Sequence, residues 1–295
     1  MSALLFLAQT VRIAVPYLFA AAGGAIAERA GVVSLTLEGF MLGGAFGAVL
    51  GAHYSGSAWV GIVSGIAAGL FLGAIHAAAS IRFKADQVVV GVAINLFAVG
   101  ITRFFLQLAF DSSSNSPRVA GFAGFGGAAS GAGAAFLENP LVWLGLAVMP
   151  ALAFVIHKTT FGLRVRAVGE HPEAAASVGV PVHRVRYVAV LSSGALAALG
   201  GVYLALDQHQ FTDSMTAGRG FIALAAVIFG RWDPLKAGLA CLLFAGAETL
   251  QIRLQAAQLI PSQFVAMIPY VLTIVAVAGV VGRSTPPAAL GKTGE

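Results

Sequence analysis

Cysteine and charge are what this 295-residue chain has least of. Its single cysteine, Cys241, excludes an internal disulfide and any cysteine-rich metal site. Charged residues make up only 10% of the chain, 12 acidic against 17 basic, too few to keep so apolar a polypeptide dissolved in water. His157, His171, His183 and His209 show no metal-ligand spacing within one helix, so they read as surface residues and no metal site is expected. The basic residues are scattered among short loops and form no aromatic-basic stripe. That excludes a nucleic acid polymer as partner and makes positive charge a report on topology. Met1 to Leu7 has no basic stretch before its apolar run and no small-residue cleavage site, so the N-terminus is expected to be retained.

What the chain has in abundance is apolar length. Hydrophobic residues are 58% of it and the mean hydropathy is +0.89, the composition of a polypeptide whose solvent is largely lipid. A helix needs roughly 20 apolar residues to cross a hydrocarbon layer of roughly 30 Å. Apolar segments fall at 4–26, 33–52, 58–81, 86–109, 139–157, 187–206, 219–230, 237–253 and 262–282. If the loop holding Arg82 and Lys84 is cytoplasmic, alternation brings Arg29, Lys158, Arg164, Arg166, Arg184, Arg186, Arg231, Lys236, Arg283 and Lys292 to the same side. The positive-inside rule selects that orientation, with an outside N-terminus, an inside C-terminus and nine crossings. Segment 219–230 is too short to span alone and is expected to be re-entrant or broken, which is tolerated only where the backbone is buried in the bundle.

Small and polar residues give this bundle its detail. Gly43, Gly44, Gly47 and Gly51, and then Gly61, Gly65, Gly69 and Gly73, place small residues four apart, which lets helices approach closely. Glu38, Asn95 and Glu248 lie inside apolar segments, where a polar side chain needs a partner or faces water. Each serves either helix-helix hydrogen bonding, worth about 1 kcal/mol, or contact with a transported solute. Phe97, Phe104 and Phe105 suit either packing or stacking on a base. The outside loop 111–138, rich in Gly, Ser and Ala, reads as a flexible surface loop or as a docking surface for a protein delivering solute, with Phe122 and Phe125 as lid or anchor. Gly291-Lys292-Thr293 resembles the end of a phosphate-binding loop, but the first glycine of that motif would fall at Pro286. The chain is therefore not expected to bind ATP, to use any cofactor of its own or to be an enzyme.

Residues 162–189, GLRVRAVGEHPEAAASVGVPVHRVRYVA, form the one long charged passage. Pro172 suits a first helical turn, Glu173 complements the helix dipole, and Gly179, Val180 and Pro181 terminate the element. A two-turn helix results, whose surface is Ala174, Ala175, Ala176 and Ser177, small enough for another protein's groove to close over the backbone. Arg164, Arg166, Arg184 and Arg186 bracket it, facing acidic groups or phospholipid headgroups. An ordinary connecting loop held by headgroups is the plainer alternative.

The stretch from Gly162 to Val180, G-x-x-x-R-A-V-G-E-H-P-E-A-A-x-x-x-G-V, resembles the cytoplasmic coupling segment of ATP-binding cassette importer permeases that serve branched-chain amino acids, ribose, simple sugars and nucleosides. Glu28-Arg-Ala-Gly-Val-Val-Ser-Leu-Thr-Leu-Glu38-Gly39, Ala85-Asp-Gln-Val-Val-Val-Gly-Val-Ala-Ile-Asn95, and the stretch from Gly218 to Pro234 with Ala247-Glu248 resemble other signatures of the family. Ser34 departs from the asparagine that many relatives carry. E-R-A-G-V-V, L-E-G and G-R-W-D-P are most similar to permeases paired with purine-nucleoside binding lipoproteins.

The resemblance implies an all-α polytopic membrane protein with a cobalamin-type (type II) bundle, one permease domain over 1–295, and a coupling loop at 158–186. It implies that Arg164, Arg166, Gly169, Glu170, Pro172, Glu173, Ala174, Ala175, Ala176 and Gly179 meet a cytoplasmic ATPase subunit, which uses the ATP and magnesium. Glu38, Asn95, Phe97 and Glu248 are the candidates for the solute path. Further implied partners are a second permease subunit or second copy, an extracytoplasmic binding protein or lipoprotein, and the lipid of a bacterial plasma membrane. The resemblance implies an importer permease whose favoured solute is a nucleoside, purine nucleosides above all, with a simple sugar or a branched-chain amino acid as the alternative. A secondary transporter using intramembrane carboxylates, and a membrane enzyme or channel, are the competing readings.

Overall fold

The spacing of small residues sets the centre of the molecule. In this computed structural model, residues 3–122, 139–257, 267 and 285–292 are described. Helices α2 (Leu37–Ser55), α3 (Ala58–Ala77) and α8 (Val182–Gln208) pack against one another, and α1 (Ala3–Arg29) lies along α8. Their contact surfaces are glycine and alanine: a methyl group added to Gly44 would stand 2.5 Å from the carbonyl oxygen of Ala198, so α2 and α8 meet backbone to backbone. Of the apolar window of α8, 72% is buried, which makes this helix the central column. Helix α3 runs on through a π-helical turn, Ala78–Arg82.

The remaining helices are α4 (Gln87–Phe110), α5 (Pro140–Lys158), α6 (Thr160–Glu170), α7 (Pro172–Ser177), α9 (Arg219–Phe229) and α10 (Pro234–Ala257). Local chemistry starts several of them. The Asp86 carboxylate accepts from the amides of Val88 and Val89, Asn139 accepts from Leu141 with Pro140 at the first helical position, and the Thr159 hydroxyl accepts from Gly162. Helix α4 stands at the periphery, with 28% of its window buried and Val89, Leu96, Phe104 and Leu108 exposed, as befits a helix facing lipid or another subunit.

Among the described residues six helices are long and apolar enough to cross a membrane: α1, α3 with its π turn, α4, α5, α8 and α10. Helix α2 has the length, but its glycines, Glu38 and His53 dilute its apolar character, and its neighbours α3, α8 and α4 shelter it. Helix α9 has 11 residues, about 16 Å at 1.5 Å per residue, half a bilayer. Nine crossings are expected from the sequence; the ninth expected segment, 262–282, lies outside the described residues. Phe125 and most of loop 111–138 also lie outside them.

Two readings of the charged passage change. Residues 160–170 form an amphipathic helix with Val165 and Val168 buried, where only the short helix from Pro172 onward was expected. Arg186 is 6% exposed and its Nε donates to the carbonyl of Ala30 at 3.3 Å, so it is a buried strut and not a headgroup contact. Arg164 is exposed and Arg166 half-buried.

Candidate functional site

Glu38 and Asn95, chosen separately for their polarity, come together. Both line a cavity of about 340 Å³ between α2, α4 and residues 214–221, walled mainly by Leu42, Val92, Leu96 and Phe221. Asn95 lies at the ninth position of α4, and both ends of its amide are engaged: Oδ1 accepts from Gly39 N at 2.8 Å, and Nδ2 donates to the carbonyl of Leu35 at 2.8 Å. This one side chain therefore ties the turn before α2 to α4.

The carboxylate of Glu38 does for α9 what a capping residue does. It accepts from the Thr216 hydroxyl at 2.6 Å and the amide of Gly218 at 2.8 Å through Oε1, and from the amide of Gly220 at 2.7 Å through Oε2. A carboxylate offers about four acceptor positions, so one remains on the cavity side. The start of a helix is where unpaired amides and the dipole favour a negative charge. Close approach is also required, since a methyl on Gly220 would meet the Glu38 backbone at 2.6 Å.

The other two candidates separate from this pair. Phe97 is two residues from Asn95, about 200° around the helix, and lines a second apolar cavity with Phe46, Phe71 and Phe105. Glu248 of α10 accepts from the Tyr17 hydroxyl of α1 and pairs with Arg219 at 3.1 Å. The first turn of α9 thus lies between two carboxylates, Glu38 on its backbone and Glu248 on its arginine. Replacing Glu248 by leucine would strand the Arg219 guanidinium within the bundle. Each side chain keeps about a fifth of its surface exposed, so a destabilisation of about 1–3 kcal/mol is expected, the cost of leaving a charged group without its hydrogen-bond partner. Arg219→Met in the same chain should restore most of it, and thermal unfolding of the purified protein measures both.

Ser214, Thr216 and Ala217, which line the cavity, belong to the segment 209–217 that follows α8. This segment pairs with residues 114–119 through Asn115 and Thr212, through the amide of Val119 to the carbonyl of His209 at 2.8 Å, and through the amide of Asp213 to the carbonyl of Ser114 at 2.8 Å. Arg103 of α4 clasps Asp213 at 2.6 Å.

In α7 Glu173, Ala174, Ala176 and Ser177 are exposed and Val178, its C-cap, is 78% exposed, but Ala175 is only 4% exposed. The expected all-alanine outer surface is therefore corrected: Ala175 turns inward, and its carbonyl accepts from Val180 at 3.0 Å. His171 alone separates α6 from α7, and Gly179 (φ 83°) ends the turn. His171 and His183 are exposed, as expected. Gly169 and Glu170 bind the returning chain, Gly169 accepting from the Ala289 amide at 2.9 Å and the Glu170 carboxylate from that of Ala288 at 3.2 Å. Gly291, in the supposed phosphate loop, instead donates to the carbonyl of Gly31 at 3.3 Å.

Sequence reasoning missed Thr216, Phe221, Tyr17, Arg219 and Trp232. The glycines flanking Arg219 were the available signal, because a helix start that touches another backbone needs them. The Ser34 hydroxyl has no partner among the described residues; its backbone amide donates to Glu28 at 3.2 Å.

A glycine-packed bundle of membrane-length helices that keeps a cavity open between two of them is a multi-pass membrane permease. Residues 6–277 match the family described as "Branched-chain amino acid transport system / permease component", and the chain belongs to that family. It is a permease subunit of an ATP-binding cassette transport system and not an enzyme. Among its relatives is the guanosine ABC transporter permease protein NupQ of Bacillus subtilis, 39% identical, with 96% of this chain and 93% of NupQ aligned. The nucleoside ABC transporter permease protein NupC of Lactococcus lactis is 35% identical over 94% of this chain and 92% of its own length. The putative glucose ABC transporter permease protein TsgC13 of Haloferax volcanii is 36% identical over 85% and 78%. Weaker similarity extends to a further permease protein of each organism, NupP, NupB and TsgB13.

Proposed function

We propose that this chain is a membrane subunit of an importer for nucleosides, purine nucleosides above all, in a bacterial plasma membrane. The observation that carries the reading is identity of 39% and 35% with two nucleoside permease proteins over nearly the whole chain. The cavity supports it: about 340 Å³ is within the usual range for small-molecule sites. Its apolar wall with Phe221 suits the face of a base, while Glu38 and Thr216 offer acceptors to ribose hydroxyls or base N–H groups.

In this reading α7 lies in the cytoplasm, and a separate ATPase, loaded with ATP and magnesium, closes over the face formed by Glu173, Ala174, Ala176, Ser177 and Val178. Arg164, Arg166 and Glu170 stand beside it. An extracytoplasmic binding lipoprotein delivers solute onto the segments 111–122 and 209–217. The peripheral face of α4 meets a second, homologous permease, a pairing supported by the two permease proteins found in each of the three related organisms. A type II bundle with alternating access between outward-open and inward-open forms completes the proposal. The putative glucose permease among the relatives keeps a simple sugar as the second reading.

The test is uptake by the complete complex in proteoliposomes, with labelled guanosine, adenosine, glucose and leucine. ATP-dependent accumulation of the nucleosides is expected. Accumulation of glucose or leucine instead overturns the solute, and uptake driven by a proton or sodium gradient without ATP overturns the mechanism.

A further inference from the structure

The short helix α9 is pinned at both ends, and each pin belongs to a different working surface. At its start the amides of Gly218 and Gly220 are held by Glu38, and Phe221 on its first turn is part of the cavity wall. At its other end the chain turns through Arg231 and Trp232. Arg29 Nε donates to the Trp232 carbonyl at 2.8 Å, and the Trp232 indole N–H donates to Glu28, a carboxylate only 3% exposed. The carbonyl of Arg29 in turn lies where a methyl on Gly169 would stand, so the last turn of α6, one residue before α7, rests on the end of α1. The strand of contacts from α7 to the cavity is thus continuous: α6, Arg29, Trp232, α9, Glu38.

The backbone at both ends of α9 is unusual. Ser214 (φ 55°), Ala217 (φ 46°) and Gly218 (φ 82°) precede it, and Arg231 (φ 53°) and Trp232 (φ 57°) follow it. Left-handed conformations are costly for residues with a Cβ, and they persist only where surrounding contacts hold them. Between these turns the helix is straight-forwardly rigid, with Ala223, Ala226 and Val227 fully buried. A stiff rod of three turns between two conformationally strained joints transmits displacement from one end to the other.

We propose that Trp232 and Glu38 are positioning residues for transport, the two joints through which α9 passes movement of the ATPase-facing surface to the solute cavity. This rests on the proposed function above, which makes α7 the ATPase contact and the cavity the solute site.

The test uses the complete complex. Cys241 is fully buried, so a thiol introduced as Phe221→Cys reports the cavity wall, and Leu96→Cys, across the cavity, replaces it if that variant does not assemble. Alkylation of the new thiol is timed in the nucleotide-free and the ATP-trapped complex. The rates are expected to differ by about fivefold or more, the lower range of couplings between sites, and Trp232→Phe, which removes only the indole donor, is expected to erase the difference. A merely structural role for Trp232 would shift both rates together and overturn the proposal.

A second measurement is uptake per ATP hydrolysed in Trp232→Phe, Glu38→Gln and the double variant, normalised to assembled complex. Sites about 16 Å apart with no shared partner add, whereas joints of one rod give a double variant no worse than the poorer single one. Additive losses, or equal alkylation in both nucleotide states of a complex that still imports solute with ATP, refute the role of α9 and leave the proposed function standing. A complex that imports nothing with ATP removes both.

Discussion

Arginine in place of Ala174 abolishes ATP-driven uptake and leaves the bundle folded; arginine in place of Ala175 prevents folding. The two positions are adjacent in α7, but the first is exposed and the second 4% exposed. At Ala174 a long charged side chain stands off any groove that closes over a surface of small residues, so the ATPase hydrolyses ATP without moving the permease. A fall in uptake of roughly a hundredfold is the upper part of the range for coupling between sites. At Ala175 the same side chain enters the buried apolar core beneath α7, where an added unpaired charge is among the most damaging changes a core can receive. Chromatographic profile and melting of the purified complex separate the two outcomes, and uptake with parallel phosphate release measures the first. Undiminished uptake in Ala174→Arg would remove α7 from the coupling surface.

Leucine in place of Asn95 is expected to cost more than solute selectivity. Its amide pairs with both the Gly39 amide and the Leu35 carbonyl across the turn that starts α2. Leucine leaves both backbone groups unpaired, each at about 1–3 kcal/mol. The transporter should therefore lose stability first, seen as a lower melting temperature and less complex in the membrane. Asn95→Asp retains an acceptor for Gly39 but no donor for Leu35, so it should fall between the wild type and leucine. If Asn95→Leu melts normally and imports an altered set of solutes, the amide serves the solute and not the turn.

The sequence anticipated the helices best where one kind of physics dominates. Long apolar runs become helices because nothing else satisfies the backbone in lipid; the boundaries at Asp86 and Asn139 follow from side chains that pair with their own helix, and the one at Pro172 from a ring that presets the first turn. The glycine ladders of α2 and α3 anticipated close approach, and Gly44 against Ala198 bears it out. Helix α6 was overlooked because its arginines mask a pattern carried by only a few buried positions, among them Val165 and Val168. Glu38 and Asn95 could be singled out for polarity in an apolar run, but their roles as helix cap and turn clamp depend on Gly218, Gly220, Leu35 and Gly39. Phe97 was grouped with them on aromatic character alone, and the helical turn places it on another face.

By itself, then, the sequence determined the solvent, the class and the family of this protein, because hydropathy, capping and signature motifs are local properties of the chain. Only the tertiary structure decided that Ala175 and Arg186 turn inward and that α9 is held by Glu38 at its start and by Arg29, through Trp232, beyond its end. The same holds for the cavity shared by a carboxylate and an amide 57 positions apart in the chain. Those facts depend on which backbones meet, and a meeting of helices distant along the chain leaves no periodicity to read.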